Sequence, residues 1–364
     1  MFSDFDRFAM TRALELAARG LETTDPNPRV GCVVALKERV VGEGWHQKAG
    51  EAHAEVAALG ATRESPEGSA VYVTLEPCSH FGRTPPCVDA LIAARVARVV
   101  FAVGDPDPRV SGKGSEALQA AGMRVESGLM EAEATELNVG YLQRMRHGRP
   151  WVRLKLAMSL DGRTALANGV SQWITSEASR IDVQHWRARS SAILTGAGTV
   201  LSDDPRLDVR LPGEGRRQPL RVVLDSRLRT PPNARLFTTG GAVLLLTSSD
   251  PALAQVSALE ASGAQVETMP LVAGRVDLNA TLERLAELQA NEVLVEAGQT
   301  LAGEMLRRSL IDELLLYVAP KLLGPHGRAL VDMPRLDYLE YAPEFSLEGV
   351  KKLGNDLCLR LRPR

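Results

Sequence analysis

His53, Cys78 and Cys87 are residue types that bind zinc, and Glu55 stands two positions after the histidine. One imidazole and two thiolates leave the fourth tetrahedral position to water, the arrangement of a catalytic zinc and not of a closed structural one. Zinc brings the pKa of its water towards about 7 and supplies hydroxide at neutral pH. Glu55 then fits a proton shuttle between that water and a leaving nitrogen, as in hydrolytic zinc deaminases with an H-x-E and a P-C-x-x-C signature. Pro77 precedes Cys78 as that signature requires. Two features constrain the geometry. Residues i and i+2 of a regular helix point apart, so His53 must sit at a helix start if Glu55 is to share its site. The cysteines are separated by eight residues rather than two, which leaves the chemistry unaffected, since Cys87 can still return at the start of a helix, where the N-terminus favours a thiolate. Cys32 and Cys358 read as core residues.

The elements around these residues follow from periodicity. Phe5, Ala9, Ala13 and Leu16 recur at helical spacing over residues 4–19. Segments 30–35 and 40–42 read as a hairpin of short strands, and His53 opens a helix that runs to Leu59. Residues 71–75 alternate as a strand, residues 87–94 are helical, and 98–103 form a third apolar strand. A helix near 115–121 and a strand near 123–126 complete the first half. Arg144–Pro150 breaks the pattern and marks a junction, which places a deaminase domain at 1–147 and a second domain at 148–364. There the alternation resumes, with strands expected at 151–158, 192–195, 220–225, 242–247, 264–267, 292–296 and 313–318. Helices are expected at 177–189, 252–262, 278–290 and 301–309, and 211–219 reads as an exposed loop. Strands separated by helices imply layered α/β sheets in both halves.

Composition bounds the function. With 364 residues the chain exceeds one ordinary core, and 45% hydrophobic with 24% charged residues is a globular profile. A net charge of −2 gives no general pull toward nucleic acid or anionic membrane. The first residues carry Asp4 and Asp6 without an apolar run, unlike a signal peptide, and no apolar stretch reaches the roughly 20 residues that span a bilayer. Four cysteines suit a reducing compartment. A cytoplasmic enzyme acting on a small molecule, with no membrane or nucleic-acid partner, is the expectation.

The zinc residues sit within longer motifs. The runs Pro26–Gly31 (PNPRVG), Gly50–Glu55 (GEAHAE) and Thr74–Cys87 (TLEPCSHFGRTPPC) resemble the bifunctional riboflavin-biosynthesis deaminase/reductase family. So do Ser159–Arg163 (SLDGR), Ser171–Thr175 (SQWIT), Thr199–Arg210 (TVLSDDPRLDVR) and Val295–Gly303 (VEAGQTLAG), so the resemblance covers nearly the whole chain. It implies a cytidine-deaminase-like α/β/α sandwich followed by a dihydrofolate-reductase-like α/β domain. The first would remove an amino group from a phosphoribosylated diaminopyrimidinone, with one zinc ion, and the second would reduce the ribosyl group to ribityl with NADPH. Positions matching the family's deaminase substrate contacts are Asn27, His46, His80, Asp105 and Lys113. His46 and His80 are favoured because each lies in a Gly-bearing loop near a zinc ligand. Ala157, Trp173, Thr199, Asp203, Ser226 and Gly298, Gln299, Thr300, Leu301, Ala302, Gly303 and Glu304 fall where the family binds NADP. Ser171, Arg187, Leu207, Arg210 and Glu296 fall where it binds substrate. A homodimer through the reductase half is also expected.

The residues of the second half support this in part. Gly298 lies between a strand and a helix, and a Gly turn there can cradle phosphate through free backbone N–H groups. Gly196 and Gly198 form a second such turn. Neither has the full G-x-G-x-x-G arrangement, which disfavours a Rossmann domain. Arg187 and Arg210 suit a phosphate through their guanidinium forks. Lys155 and Asp203 are candidates to position or protonate the opened sugar.

Two other readings are open. A nucleic-acid or nucleoside base deaminase with an accessory nucleotide-binding domain would need a basic face. Residues 1–147 hold sixteen Lys plus Arg against twenty Asp plus Glu, a net charge of −4. A non-catalytic module with structural zinc would give Glu55 no purpose.

Overall fold

The computed structural model describes every residue except 82–84, 214–215 and 249. Parts of the 74–87 motif and of the 211–219 loop therefore lie outside the described residues. The chain divides into two compact units, Met1–Arg149 and Pro150–Arg364.

The first unit runs α1 (Asp4–Ala18), β1 (Gly31–Leu36), β2 (Arg39–Trp45), α2 (Ala54–Gly60), β3 (Ala70–Leu75), α3 (Cys87–Ala93), β4 (Arg98–Val103), α4 (Lys113–Ala120), β5 (Arg124–Ser127), α5 (Glu131–Leu137) and α6 (Val139–His147). Its sheet has the order β2-β1-β3-β4-β5. β1 is antiparallel to β2 and β3, and β3, β4 and β5 run parallel. Helix α1 starts at a capping box in which Ser3 and Asp6 each accept the other's backbone N–H. One face of the sheet buries Val33, Tyr72 and Val100 against Ala9, Met10 and Leu142. The other buries Val34, Val73 and Val99 against Ala58, Leu91 and Leu118. Helices thus cover both faces, an α/β/α sandwich. Gly31 allows the first layer to close, since a Cβ there would lie 2.0 Å from the Ala13 carbonyl oxygen.

Residues 131–147 form two helices where the sequence pattern showed none before the break at Arg144. Helix α5 carries Glu131, Glu133 and Glu136 and buries only Ala134, so it has no apolar stripe to read. The basic residues Arg144, Arg146 and His147 form the last turn of α6, which Gly148 ends at φ 66°.

The second unit runs β6 (Trp151–Ser159), β7 (Arg163–Ala165), α7 (Glu177–Arg189), β8 (Ala192–Gly196), α8 (Ala197–Asp203), β9 (Leu220–Leu224), β10 (Val243–Thr247), α9 (Leu253–Ala261), β11 (Ala264–Thr268), β12 (Leu271–Val272), β13 (Arg275–Val276), α10 (Leu278–Glu287), β14 (Glu292–Glu296), α11 (Gln299–Arg307), β15 (Glu313–Ala319), β16 (Arg328–Ala329), β17 (Phe345–Leu353) and β18 (Asp356–Pro363). Nine strands form one sheet in the order β11-β10-β9-β8-β14-β6-β15-β18-β17. The strands run parallel from β11 to β15, and β18 and β17 close the sheet antiparallel. β12 pairs β13 and β7 pairs β16 in two small ribbons.

The apolar strands of the parallel region bury Leu154, Leu194, Val222, Leu244 and Val295 together. A charged layer is also buried. The Arg153 guanidinium donates to Glu292 at 2.5 Å and to Glu313, and it lies 4.7 Å from the Trp186 ring centroid. Each buried charge there is paired, without which its desolvation would not be tolerated. Among the described residues, no helix is long and apolar enough to cross a membrane.

Candidate active sites

His53 is the N-cap of α2, with extended backbone at φ −73° and ψ 162°. Its imidazole is thereby freed from the helical register, and Glu55 occupies the first turn. Cys78 lies in the loop after β3, and Cys87 is the first residue of α3. The His53 Nδ1 is 3.2 Å from the Cys87 Sγ and 3.5 Å from the Cys78 Sγ. One donor atom from each of the three residues lies within 4.8 Å of the others. An imidazole and two thiols at this separation fit a zinc ion with one coordination position left for solvent.

The helix terminus acts differently from the sequence expectation. The Cys87 N–H donates to the Cys78 sulfur at 3.3 Å, so the start of α3 serves Cys78. The Cys87 thiol, the His53 ring and that N–H favour the Cys78 thiolate and hold its pKa down to about 4. Cys87 is pushed upward by Cys78 beside it and by burial. Glu55 is 3% exposed. Burial first, and then the charge on Cys78, raise its carboxyl to about 6, a value suited to a group that both takes and gives a proton near neutrality.

Asn27 and His46 converge on the same place. The His46 ring meets the His53 ring edge-on at 5.4 Å between centroids. His46 Nδ1 is 3.0 Å from the Ala52 carbonyl oxygen, which can only accept, so Nδ1 carries the proton. Nε2 is then an acceptor and takes the Asn27 amide N–H at 3.0 Å. Both ring nitrogens of His46 are thus used within the protein. They tie the turn before His53 in place and leave the Asn27 side-chain oxygen available to a ligand. At His80, Nδ1 is buried without a hydrogen-bond partner among the described residues.

Asp105 follows β4 and is 7% exposed. Its carboxylate accepts the Tyr141 hydroxyl at 2.8 Å and the Asp107 N–H, and burial pushes its pKa up to about 6. Lys113 is exposed, and its ammonium donates to the Pro108 carbonyl oxygen at 2.9 Å. Sequence reasoning missed Glu76, whose buried carboxylate accepts the N–H groups of Asp105, Gly112 and Ser115. It fixes the loop after β4 to the start of α4, and Glu76 and Asp105 border a polar cleft of about 480 Å³. Its only signal in the sequence was an acidic residue directly after an apolar strand.

In the second unit the residues singled out separate into groups. β8 and β14 are neighbours, so the Gly196–Gly198 and Ala297–Gly298 turns leave the sheet side by side. The Gly298 N–H donates to Thr199 Oγ1 at 3.3 Å. Lys155 and Glu296 are register partners on β6 and β14. Arg187 on α7 donates to both Glu296 oxygens, at 2.6 and 2.9 Å, and to the Asp208 carbonyl oxygen. Burial opposes the Glu296 charge, but Arg187 and Lys155 outweigh it and keep the carboxyl below its usual range. Burial lowers Lys155, whose ammonium lies 5.8 Å from the Tyr317 ring centroid. Arg210 pairs with Asp208, which also holds Arg206; neither Arg206 nor Asp208 stood out in the sequence.

The remaining positions differ in exposure: Asp203 and Thr300 are exposed, whereas others are taken up by contacts within the protein. Leu207 is buried against Val183, Leu294 and Tyr317. Ala302 faces the core, and Gly303 packs on the Asp332 backbone, where a Cβ would lie 2.1 Å from the carbonyl oxygen. Glu304 is paired with Arg307 and Arg308. The Ser226 hydroxyl accepts the Val276 N–H, Asp203 accepts the Ser202 hydroxyl, and Ala157 packs at the edge of the apolar cluster around Tyr317. Gln299 accepts the Asp332 N–H through its carbonyl, Thr300 and Leu301 complete the first turn of α11, and Ser171 accepts the Ile174 N–H through its backbone.

Two family models match the chain. The cytidine and deoxycytidylate deaminase zinc-binding region covers residues 3–103, and the RibD C-terminal domain covers residues 150–359. The riboflavin biosynthesis protein RibD of Escherichia coli (strain K12) is 48% identical over 98% of this chain and 99% of its own. The RibD of Aquifex aeolicus is 39% identical over 99% of both. Among solved structures, Acinetobacter baumannii RibD superposes with a TM-score of 0.92 at 44% identity, covering 99% of each chain. A Thermotoga maritima diaminohydroxyphosphoribosylaminopyrimidine deaminase/5-amino-6-(5-phosphoribosylamino)uracil reductase superposes with a TM-score of 0.86 at 33% identity over 99% of each. With a deaminase-like unit carrying the His/Cys/Cys cluster followed along the chain by a reductase unit, the chain belongs to the RibD family of bifunctional riboflavin-biosynthesis enzymes.

Proposed function

We propose that the first unit deaminates a phosphoribosylated diaminopyrimidinone by hydrolysis and that the second reduces the ribosyl group of the product to a ribityl chain with NADPH. The observation that carries the first step is the meeting of His53, Cys78 and Cys87 beside the buried Glu55. Zinc held by these three residues would supply hydroxide near neutral pH. Glu55 accepts a proton from the attacking water and delivers it to the amino nitrogen, which leaves as ammonia. Asn27 offers its side-chain oxygen to a donor on the pyrimidine, and His46 holds Asn27 in that orientation. His80 completes the substrate contacts on this reading.

For the second step NADPH would supply a hydride to the ribosyl carbon bonded to nitrogen; the ring C–O bond of the sugar would break and its oxygen take a proton. The adjacent glycine turns, with Thr199 against Gly298, suit the cofactor's phosphates, and Trp173 suits one of its flat rings. Arg187 and Arg210 suit the substrate phosphate, with Glu296 orienting Arg187. Lys155 stands beside Glu296 as the group that positions or protonates the sugar oxygen, a role Asp203 shares as a candidate. A homodimer through the second unit belongs to this reading. The open edge of β17, with Leu347 and Val350 exposed, supports it. A cytoplasmic location also belongs to this reading, since no disulfide joins the four cysteines.

A coupled assay tests the proposal. Purified protein is given the diaminopyrimidinone substrate and NADPH, and ammonia and NADPH loss are followed with and without a zinc chelator. Ammonia release followed by NADPH oxidation, both stopped by chelation, is the expected result. Restored NADPH oxidation on adding the deaminated intermediate would separate the steps. Activity on free bases or RNA instead would favour a base deaminase, a reading the net negative charge of the first 147 residues disfavours.

A further inference from the structure

Trp173 lies in the segment between β7 and α7 and is 62% exposed, which is unusual for the largest apolar side chain. It is nevertheless fixed from two directions. The Arg180 guanidinium lies over the indole at 4.6 Å from the ring centroid, and its Nη1 donates to the Thr175 carbonyl oxygen at 2.9 Å. From the other direction, the Lys321 ammonium donates to the Trp173 carbonyl oxygen at 2.8 Å.

Both braces stand on rigid supports. Arg180 occupies the first turn of α7, two turns before Arg187, so both face the same side of one helix. Lys321 lies two residues after the end of β15. Its carbonyl accepts the Leu160 N–H, and the Asp161 carboxylate accepts the N–H groups of Leu323 at 3.1 Å and Gly324 at 2.7 Å. The turn after β6 and the loop after β15 are therefore stapled together, and Lys321 extends from that staple to Trp173.

We infer that Arg180 and Lys321 are positioning residues that hold Trp173 as a one-sided stacking platform for a planar ring of the nicotinamide cofactor. A guanidinium covers one face of the indole, and the open face remains for a flat ring. Arg180 restricts the indole and Lys321 the backbone that carries it before the cofactor arrives, so less freedom is lost on binding. The inference rests on the reading that Trp173 faces the cofactor.

The test compares Trp173→Ala, Arg180→Met and Lys321→Met in the full-length protein. It measures KM for NADPH and kcat of the reduction with the deaminated substrate supplied, the quenching of Trp fluorescence by NADPH, and ammonia release as an internal control. Trp173→Ala is expected to raise KM for NADPH by roughly tenfold or more. Arg180→Met and Lys321→Met are each expected to raise it by about two- to fivefold, with kcat and ammonia release unchanged. A raised KM in Trp173→Ala with wild-type KM in both brace variants would overturn the positioning roles alone. An unchanged KM in Trp173→Ala would remove the reading on which they rest. A parallel fall in ammonia release would mark a general loss of structure and count against the proposal.

Discussion

The Nδ1 of His53 and the Sγ of Cys87 lie 3.2 Å apart although 34 positions separate them in the chain. Each stands at the start of its own helix, and Cys78 comes to both from the end of β3. With only three protein donors, loss of one should abolish metal retention. Cys87→Ser is therefore expected to lose zinc and ammonia release together. NADPH oxidation on supplied deaminated substrate should persist, because the second unit has its own core. Metal analysis beside both assays checks this; full zinc content in the variant would refute the ligand assignment.

Glu55 is beside the donors but is not one of them in the metal cluster. Glu55→Gln keeps the shape and removes the proton-transferring carboxylate. Zinc content is expected to stay at the parent level while ammonia release falls roughly 10²- to 10⁴-fold. Ammonia release near the parent rate would assign the proton transfer elsewhere.

Arg187 and Glu296 share two hydrogen bonds, and their side chains are 10% and 12% exposed. Arg187→Met leaves the carboxylate buried without its main partner, at a cost of about 3–5 kcal/mol to the second unit. KM for the phosphorylated reductase substrate should also rise. Denaturant unfolding should show recovery of part of the loss in Arg187→Met/Glu296→Met, in which no carboxylate is stranded; the recovery stays partial because Lys155 loses the Glu296 counter-charge. Equal stability of Arg187→Met and parent would show that the pair contributes nothing.

Asp6 accepts from Tyr72 at 2.6 Å, from Arg98 at 2.6 and 3.2 Å, and from the Ser3 N–H. Burial opposes its charge, yet Arg98, Tyr72 and Ser3 outweigh that and hold the carboxyl far below its usual range. A depressed folded-state pKa contributes stability that is full above the unfolded value of about 4 and is lost as pH falls toward the folded value. Asp6→Asn should lower the melting temperature of the first unit at neutral pH, by an amount matching about 1.5–3 kcal/mol. The difference between variant and parent should shrink on acidification below about pH 4. A pH-independent difference would mean that the charge of Asp6 is not what stabilises the helix start.

Much of the architecture was legible in the chain because burial on a sheet or helix leaves a period. The strands at 98–103 and 292–296 and the helix at 177–189 coincide with their apolar patterns. The terminal hairpin of β17 and β18 went unread. β17 lies at the sheet edge and buries only Leu353, so no alternation marks it. Helix α5 escaped for the same reason, with only Ala134 turned inward.

At the sites the division is similar. Residue types and local spacing singled out His53, Cys78, Cys87 and Glu55 as the candidate metal site, because zinc chemistry restricts which side chains can serve and His53 had to begin a helix. Partners brought together over long separations were decided only by the tertiary structure. Arg187 meets Glu296 across 109 positions, and Lys321 holds Trp173 across 148. His46 turns both ring nitrogens inward to Asn27 and Ala52. A sequence shows which side chains can donate or accept, but the direction of a hydrogen bond and the pairing of a buried charge depend on what the fold packs against them.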